Sequence, residues 1–172
     1  MKKYLMILML LISSLVSAKE LSFRQISLKG KTCGEVCKIL KDSLGFEKNG
    51  TFYNSYSGSY IRENVIVTVH GFDPGCYNEN FQATNLSVIF VESVEEDIYD
   101  KFELVVAHLI ENFGLPEVMG NYKCVWRDDN SETVMLLKVD DIRFSRLKLL
   151  FMDISQNKPA YLEYMKWKKD DM

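Results

Sequence analysis

The order of hydrophobic patterns along this chain predicts an α+β fold: an antiparallel sheet with two helices on one face and a weak internal duplication of a strand-helix-strand-strand unit. Two stretches repeat apolar residues at helical spacing, Val36, Ile39, Leu40 and Leu44 in the first and Ile98, Phe102, Val105, Val106, Leu109, Ile110 and Phe113 in the second. Consecutive β-rich runs follow each helix, where a parallel doubly wound sheet would need alternating βα units. The order strand, helix, strand, strand therefore occurs twice, with one further strand at the end.

At the N-terminus, Lys2 and Lys3, an apolar run from Leu5 to Ile12 and the small residues Ser17-Ala18 form the three parts of a cleavable export signal. That apolar core is shorter than the roughly 20 residues a membrane-spanning helix needs. Cleavage after Ala18 is expected to leave one domain over 19–172, with halves at 19–78 and 79–157 and a tail at 158–172. Leu21, Phe23, Ile26 and Leu28 then point to a first strand over 21–28, although their alternation is imperfect. Thr32 with Glu35 three residues on makes a capping box, opening a helix over 33–44 that Gly45 stops. The runs Thr51 to Tyr56 and Tyr60 to Val69 read as a β-hairpin about a Ser57-Gly58 turn. Between Gly71 and Thr84 the sequence turns polar, with Asp73-Pro74-Gly75 as a turn, and this marks the junction of the halves.

Leu86 to Val91 forms the next strand, and Glu95-Glu96-Asp97 suits the positive end of a helix macrodipole. The second helix, over 98–113, is ended by Gly114 and Pro116. Tyr122 to Arg127, Thr133 to Val139 and Leu147 to Ile154 complete a meander, with turns at Asp128-Asp129-Asn130 and Asp140-Asp141.

The markers Phe23, Ile26, Gly30, Leu40, Gly45-Phe46, Gly58 and Tyr60, then Phe113-Gly114-Leu115-Pro116, Trp126 and Leu149 to Asp153, resemble a family of uncharacterised exported bacterial α+β proteins. In that family a helix ending in Gly-Phe precedes a hairpin. The duplicated layout is also similar to the tandem repeats of β-lactamase inhibitor proteins, a likeness of layout alone.

Losing Lys2 and Lys3 from the 21 basic residues leaves 19 against 24 acids, so the mature protein has a net charge near −5. A nucleic-acid partner, which requires clustered Lys and Arg, is not expected. No second membrane segment is expected either, since the longest remaining apolar run is broken by His108.

Four cysteines in an exported protein read first as two disulfides. Of the three connectivities, Cys33–Cys37 with Cys76–Cys124 is preferred. The first of these bridges requires the opening helical turn to distort, because Cβ atoms four residues apart lie about 5 to 6 Å from each other, against the 3.5 to 4.5 Å or so of a cystine. A redox site at Cys33 and Cys37 is the rival, since a helix start stabilises a thiolate. Zinc binding is third, without the paired short knuckles such sites use.

His70 and His108 fall on different elements with no metal spacing and read as structural, and Asp128-Asp129, Asp140-Asp141 and Asp170-Asp171 read as solvated turns or tail. No hydrolase elbow, zinc-protease or phosphate-loop pattern occurs. No catalytic residue, metal or cofactor is therefore named. The stretch Asn49 to Tyr60, rich in Tyr, Ser, Gly and Asn, has the composition of adaptable contact surfaces, and Tyr53, Tyr56 and Tyr60 are its candidate binding residues. Tyr161, Tyr164 and Trp167 among tail lysines have the pattern of an amphipathic docking segment, with docking onto the protein's own sheet or disorder of the tail as the simpler readings. The sequence thus leads to a periplasmic or extracellular, non-enzymatic module that binds another envelope or secreted protein. A thiol-dependent enzyme using Cys33 and Cys37 and a structural envelope component are the alternatives.

Overall fold

Helix α1 begins where its cap dictates. Thr32 Oγ1 accepts from the Glu35 amide at 3.2 Å while Glu35 Oε2 accepts from the Thr32 amide at 2.8 Å, so two otherwise orphaned donors are satisfied reciprocally. In the computed structural model, which describes residues 20–50, 54–71, 78–91, 98–120, 122–130, 132–140, 146–155, 161–162, 164–166 and 168, α1 runs over Cys33–Lys38 and widens into a π-helical turn over Ile39–Ser43. There the Leu44 amide donates to the Ile39 carbonyl five residues back. Gly45 then leaves the helix at φ 69°, a conformation that costs an ordinary side chain.

Four strands follow, β1 (Glu47–Lys48), β2 (Ser55–Tyr60), β3 (Glu63–His70) and β4 (Asn85–Phe90). Helix α2 (Ile98–Phe113) buries Phe102, Val105, Val106, Leu109 and Ile110, the positions its period marks, and ends at Gly114 with φ 80°. Four more strands complete the sheet, β5 (Val118–Gly120), β6 (Lys123–Asp128), β7 (Thr133–Asp140) and β8 (Arg146–Asp153). All neighbours pair antiparallel in the order β1-β2-β3-β4-β8-β7-β6-β5, an α+β architecture. Each helix thus precedes a meander of four strands. The two meanders meet where Val88 of β4 faces Leu149 of β8. Both edge strands are short, two residues in β1 and three in β5, which leaves little free backbone for another protein to pair with.

Side chains alternate across the sheet. Val65, Val67 and Val69 of β3, Leu86 and Val88 of β4, Leu147 and Leu149 of β8, and Met135 and Leu137 of β7 join the buried residues of α1 and α2 in one apolar cluster. The intervening positions Val125, Val134, Leu136 and Met152 form a second cluster with Val118 and with Tyr164 from the helical residues near the C-terminus. Tyr164 is fixed there by its hydroxyl, which donates to Glu117 at 2.7 Å, by an ion pair between Lys168 and Glu117, and by the Arg127 guanidinium 5.5 Å from its ring. Tyr164 and Lys168 of the tail are docked onto the protein's own sheet by these contacts.

Several elements differ from the sequence reading, each for a local reason. The strand expected over 21–28 is instead a tight turn: Phe23 and Ile26 exchange backbone hydrogen bonds of 3.2 and 2.8 Å around Arg24-Gln25. Its imperfect alternation records that turn, because Leu21 and Phe23 lie before it, Ile26 and Leu28 after it, and all four are buried. Ser57-Gly58 is not the hairpin turn but mid-strand in β2, and the turn is Ile61-Arg62, between paired Tyr60 and Glu63. Glycine stands at position 58 because the Phe46 ring fills the side-chain space: a Cβ there would lie 2.4 Å from Phe46 Cδ1. The short edge strands β1 and β5 have no counterpart in the sequence reading. The export signal, Tyr53, the Asp73-Pro74-Gly75 turn, Cys76, the Glu95-Glu96-Asp97 cluster, Asp141 and Trp167 lie outside the described residues. Among the described residues no helix is long and apolar enough to cross a membrane.

Candidate functional site

Two of the tight turns place both central residues at positive φ, the geometry of type I′ turns, without glycine or asparagine. Arg24 and Gln25 have φ 47° and 71°, Ile61 and Arg62 φ 54° and 64°. A left-handed L-residue costs about 1 to 2 kcal/mol, so such residues persist only where their surroundings hold them. These four make up all but two of the left-handed non-glycine residues among those described. All four line one cleft of about 650 Å³.

The cleft forms where residues 20–25, 59–62 and 108–113 meet, three stretches far apart in sequence. Its inner wall is Tyr60, whose ring lies 4.8 Å from that of Phe23 and edge-on to His108 at 6.2 Å. Burial, opposed by Arg24, pushes the Tyr60 hydroxyl up to about 12, so it remains a hydrogen-bond donor throughout the physiological range. His108 is joined by Asn112 one turn later on α2: Asn112 Nδ2 lies 3.2 Å from His108 Nε2 and donates to the His108 carbonyl at 2.8 Å. Arg24 is oriented by a 3.2 Å bond from Nη1 to the Ser59 carbonyl and lies 6.0 Å from the Phe46 ring centre. Arg62 is exposed and makes no hydrogen bond or ion pair with another described residue. Among the described residues Glu20 supplies the cleft's one carboxylate. Nearby, Lys101 of α2 is buried against Glu63 at 2.9 Å, which ties the helix to the start of β3 just beyond the Ile61-Arg62 turn.

The three tyrosines named from the sequence separate. Tyr60 lines the cleft. Tyr56 is only 7% exposed and turns into the apolar cluster, and burial followed by the neighbouring Cys37 pushes its hydroxyl up to about 12. β2 runs straight through position 58 and keeps Tyr56 on the inward side of the sheet. Tyr53 lies outside the described residues.

Cys33, Cys37 and Cys124 are buried thiols, and no disulfide joins these three. The capped first turn of α1 keeps regular geometry, so the distortion that a Cys33–Cys37 bridge requires is not made. Cys76, and with it the Cys76–Cys124 pairing, lies outside the described residues. Burial is the largest influence raising the Cys33 thiol, the nearby Cys37 adds to it, and its backbone hydrogen bond only partly opposes them. Burial also pushes Cys124 up to about 12. Neither is held in the thiolate form that a redox site needs. Cys37 borders a smaller recess of about 330 Å³ with Tyr56, Lys38, Lys41 and Lys48.

His70 sits at the end of β3, where its carbonyl accepts from the Thr84 amide at 2.9 Å, and burial followed by Lys148 holds its imidazole below the usual range. Among the described residues no three His, Cys, Asp or Glu side chains gather as metal ligands.

Arg24, Gln25, Arg62 and Asn112 did not stand out in the sequence. The one available signal was the polar pair Arg62-Glu63 between two β-rich runs, which competes as a turn with Ser57-Gly58. No protein-family model, no curated protein and no solved structure matches this sequence.

Proposed function

We propose that this protein is an exported, non-enzymatic binding module of the bacterial envelope, and that the arginine-flanked cleft is where its protein partner docks. The observation that carries this reading is the convergence of two strained turns on one cleft. Four residues in a costly backbone conformation are there held beside Tyr60, His108 and two guanidiniums, and strain retained in that way is characteristic of ligand sites. The raised Cys33 and Cys124 thiols give no support to the thiol-dependent alternative.

In this reading the scaffold arose by duplication, with both helices on one face, and the unit is a helix followed by four strands. The sheet order is unchanged when β1–β4 are exchanged with β5–β8. Moreover, the buried residues Cys33, Val36, Cys37 and Leu40 and the helix-ending Gly45 recur 69 positions later as Phe102, Val105, Val106, Leu109 and Gly114. These correspondences favour the tandem-repeat layout.

The test is affinity capture from native envelope extract with tagged residues 19–172, comparing wild type with Arg24→Gln/Arg62→Gln and with Ser55→Ala/Ser57→Ala on the opposite sheet face. The cleft variant is expected to lose the partner and the serine variant to keep it. Capture that survives both changes would place the contact surface elsewhere. Export itself is checked by N-terminal sequencing of the processed protein, expected to begin at Lys19.

A further inference from the structure

We infer that the group this cleft receives is a carboxylate, carried by an acidic side chain or by the carboxyl terminus of the partner. The assignment rests on the binding-module reading above and adds the chemistry of recognition.

Two guanidiniums, Arg24 and Arg62, face one carboxylate, Glu20, so among the described residues the charged side chains of the lining carry one surplus positive charge. An anion neutralises that surplus. Guanidinium is also the side chain whose parallel N–H donors match the two oxygens of a carboxylate. Arg24 has one of its five donors engaged by the Ser59 carbonyl and is held in place by that bond, which leaves the remainder for a ligand. Arg62 has all of its donors available among the described residues.

Tyr60 adds a neutral donor. Its ring is clasped between Phe23 and His108, and its hydroxyl makes no hydrogen bond to another described residue. With its pKa raised to about 12, it has no tendency to become an anion that would repel the ligand. Ile61 and Phe113 give the same cleft an apolar wall, which suits a carboxylate that arrives beside an apolar side chain. A volume of about 650 Å³ accommodates one or two residues rather than a lone ion.

The experiment uses ¹⁵N-labelled residues 19–172 and follows the arginine Nε–Hε signals by NMR during titration with four probes. N-acetylphenylalanine presents a C-terminal carboxylate, N-acetylglutamate α-amide a side-chain carboxylate, N-acetylphenylalaninamide none, and inorganic phosphate competes as a dianion. The two carboxylates are expected to shift the Arg24 and Arg62 signals and the neutral amide to leave them in place. The tighter of the two identifies the source of the carboxylate. Arg24→Gln/Arg62→Gln should weaken the carboxylates at least tenfold, and Arg24→Lys/Arg62→Lys, which keeps charge but loses the fork, should fall between. Thermal unfolding confirms that these variants of exposed side chains remain folded. Equal response to the neutral amide, tighter binding of phosphate, no carboxylate binding, or unchanged affinity in the glutamine variant would each overturn the assignment. If the glutamine variant loses its envelope partner while the carboxylates fail to bind, the binding module stands and only the ligand chemistry falls.

Discussion

The β1–β4 half and the β5–β8 half share a succession of helix and four strands, yet they finish the outer face of the sheet differently. In β7, Val134 and Leu136 point away from the main apolar cluster and pack with Val118, Val125, Met152 and Tyr164. At the alternate positions of β2 stand Ser57 and Ser59, which pair across to Ile66 and Asn64 of β3, and Ser55, whose buried hydroxyl lies 3.3 Å from that of Thr68. An apolar outer face must be covered by protein, while a polar one can be finished by water. The described left-handed non-glycine residues divide in the opposite sense. Arg24, Gln25, Ile61 and Arg62 belong to the first half, and only Tyr122 and Glu132 to the second. One half therefore adds a second apolar core, and the other gathers strained backbone and uncompensated arginine around a cleft. The two halves thus differ in what they add to a common succession of elements, an outer apolar core in one and strained turns in the other.

The largest test of this contrast is a pair of substitutions on the same outer face. Leu136→Ala, in the second cluster, should cost about 2 to 5 kcal/mol, whereas Ser57→Ala should stay within about 0.5 kcal/mol. Urea unfolding of both measures the difference, and similar losses would break the comparison. Gly58→Ala should cost about 1 to 3 kcal/mol by overpacking, since its Cβ would meet the Phe46 ring at 2.4 Å. Adding Phe46→Leu to that variant should recover part of the loss.

Relief of backbone strain gives a smaller effect of opposite sign. Arg62→Gly at φ 64° and Glu132→Gly at φ 53° should each raise stability by about 0.5 to 1 kcal/mol. Only the first should weaken partner capture, because only Arg62 lines the cleft. Loss of binding in both would dissolve the distinction between the halves.

The smallest effect concerns the C-terminal contact. Burial alone would raise the Glu117 carboxyl, but hydrogen bonds from Lys168 and Tyr164 outweigh it and hold the group below the ordinary carboxylate range. A depressed carboxylate contributes stability above its unfolded pKa, about 4.3, and that stability is lost as pH falls through the lower folded value. Glu117→Gln should therefore flatten the acid limb of the stability profile below about pH 4, as followed by tyrosine fluorescence.

The helices and most strands were legible in the sequence because periodicity reports burial. The α2 stripe from Phe102 to Ile110 is buried as its spacing requires, and Thr32 and Glu35 close the capping box they spell. The cleft was not legible, for physical reasons that can be named. Its turns carry Arg24-Gln25 and Ile61-Arg62 in place of the Asn-Gly or Asp-Gly that announces a type I′ turn. Gly58 imitates a turn because it makes room for Phe46, a contact twelve residues away that sequence alone cannot supply. With the turn at Ile61-Arg62, Tyr56 is buried and Tyr60 lines the cleft. His108 read as a structural residue inside an apolar stripe, and only the fold brings it against Tyr60.

Amide hydrogen exchange of the mature protein, with and without the partner it captures, tests most directly whether the cleft is the binding surface. Exchange is predicted to slow on partner binding over 22–25, 59–62 and 108–113, with β6, β7 and β8 unchanged. Protection confined to β6–β8 or to the C-terminal residues around Tyr164 would contradict it.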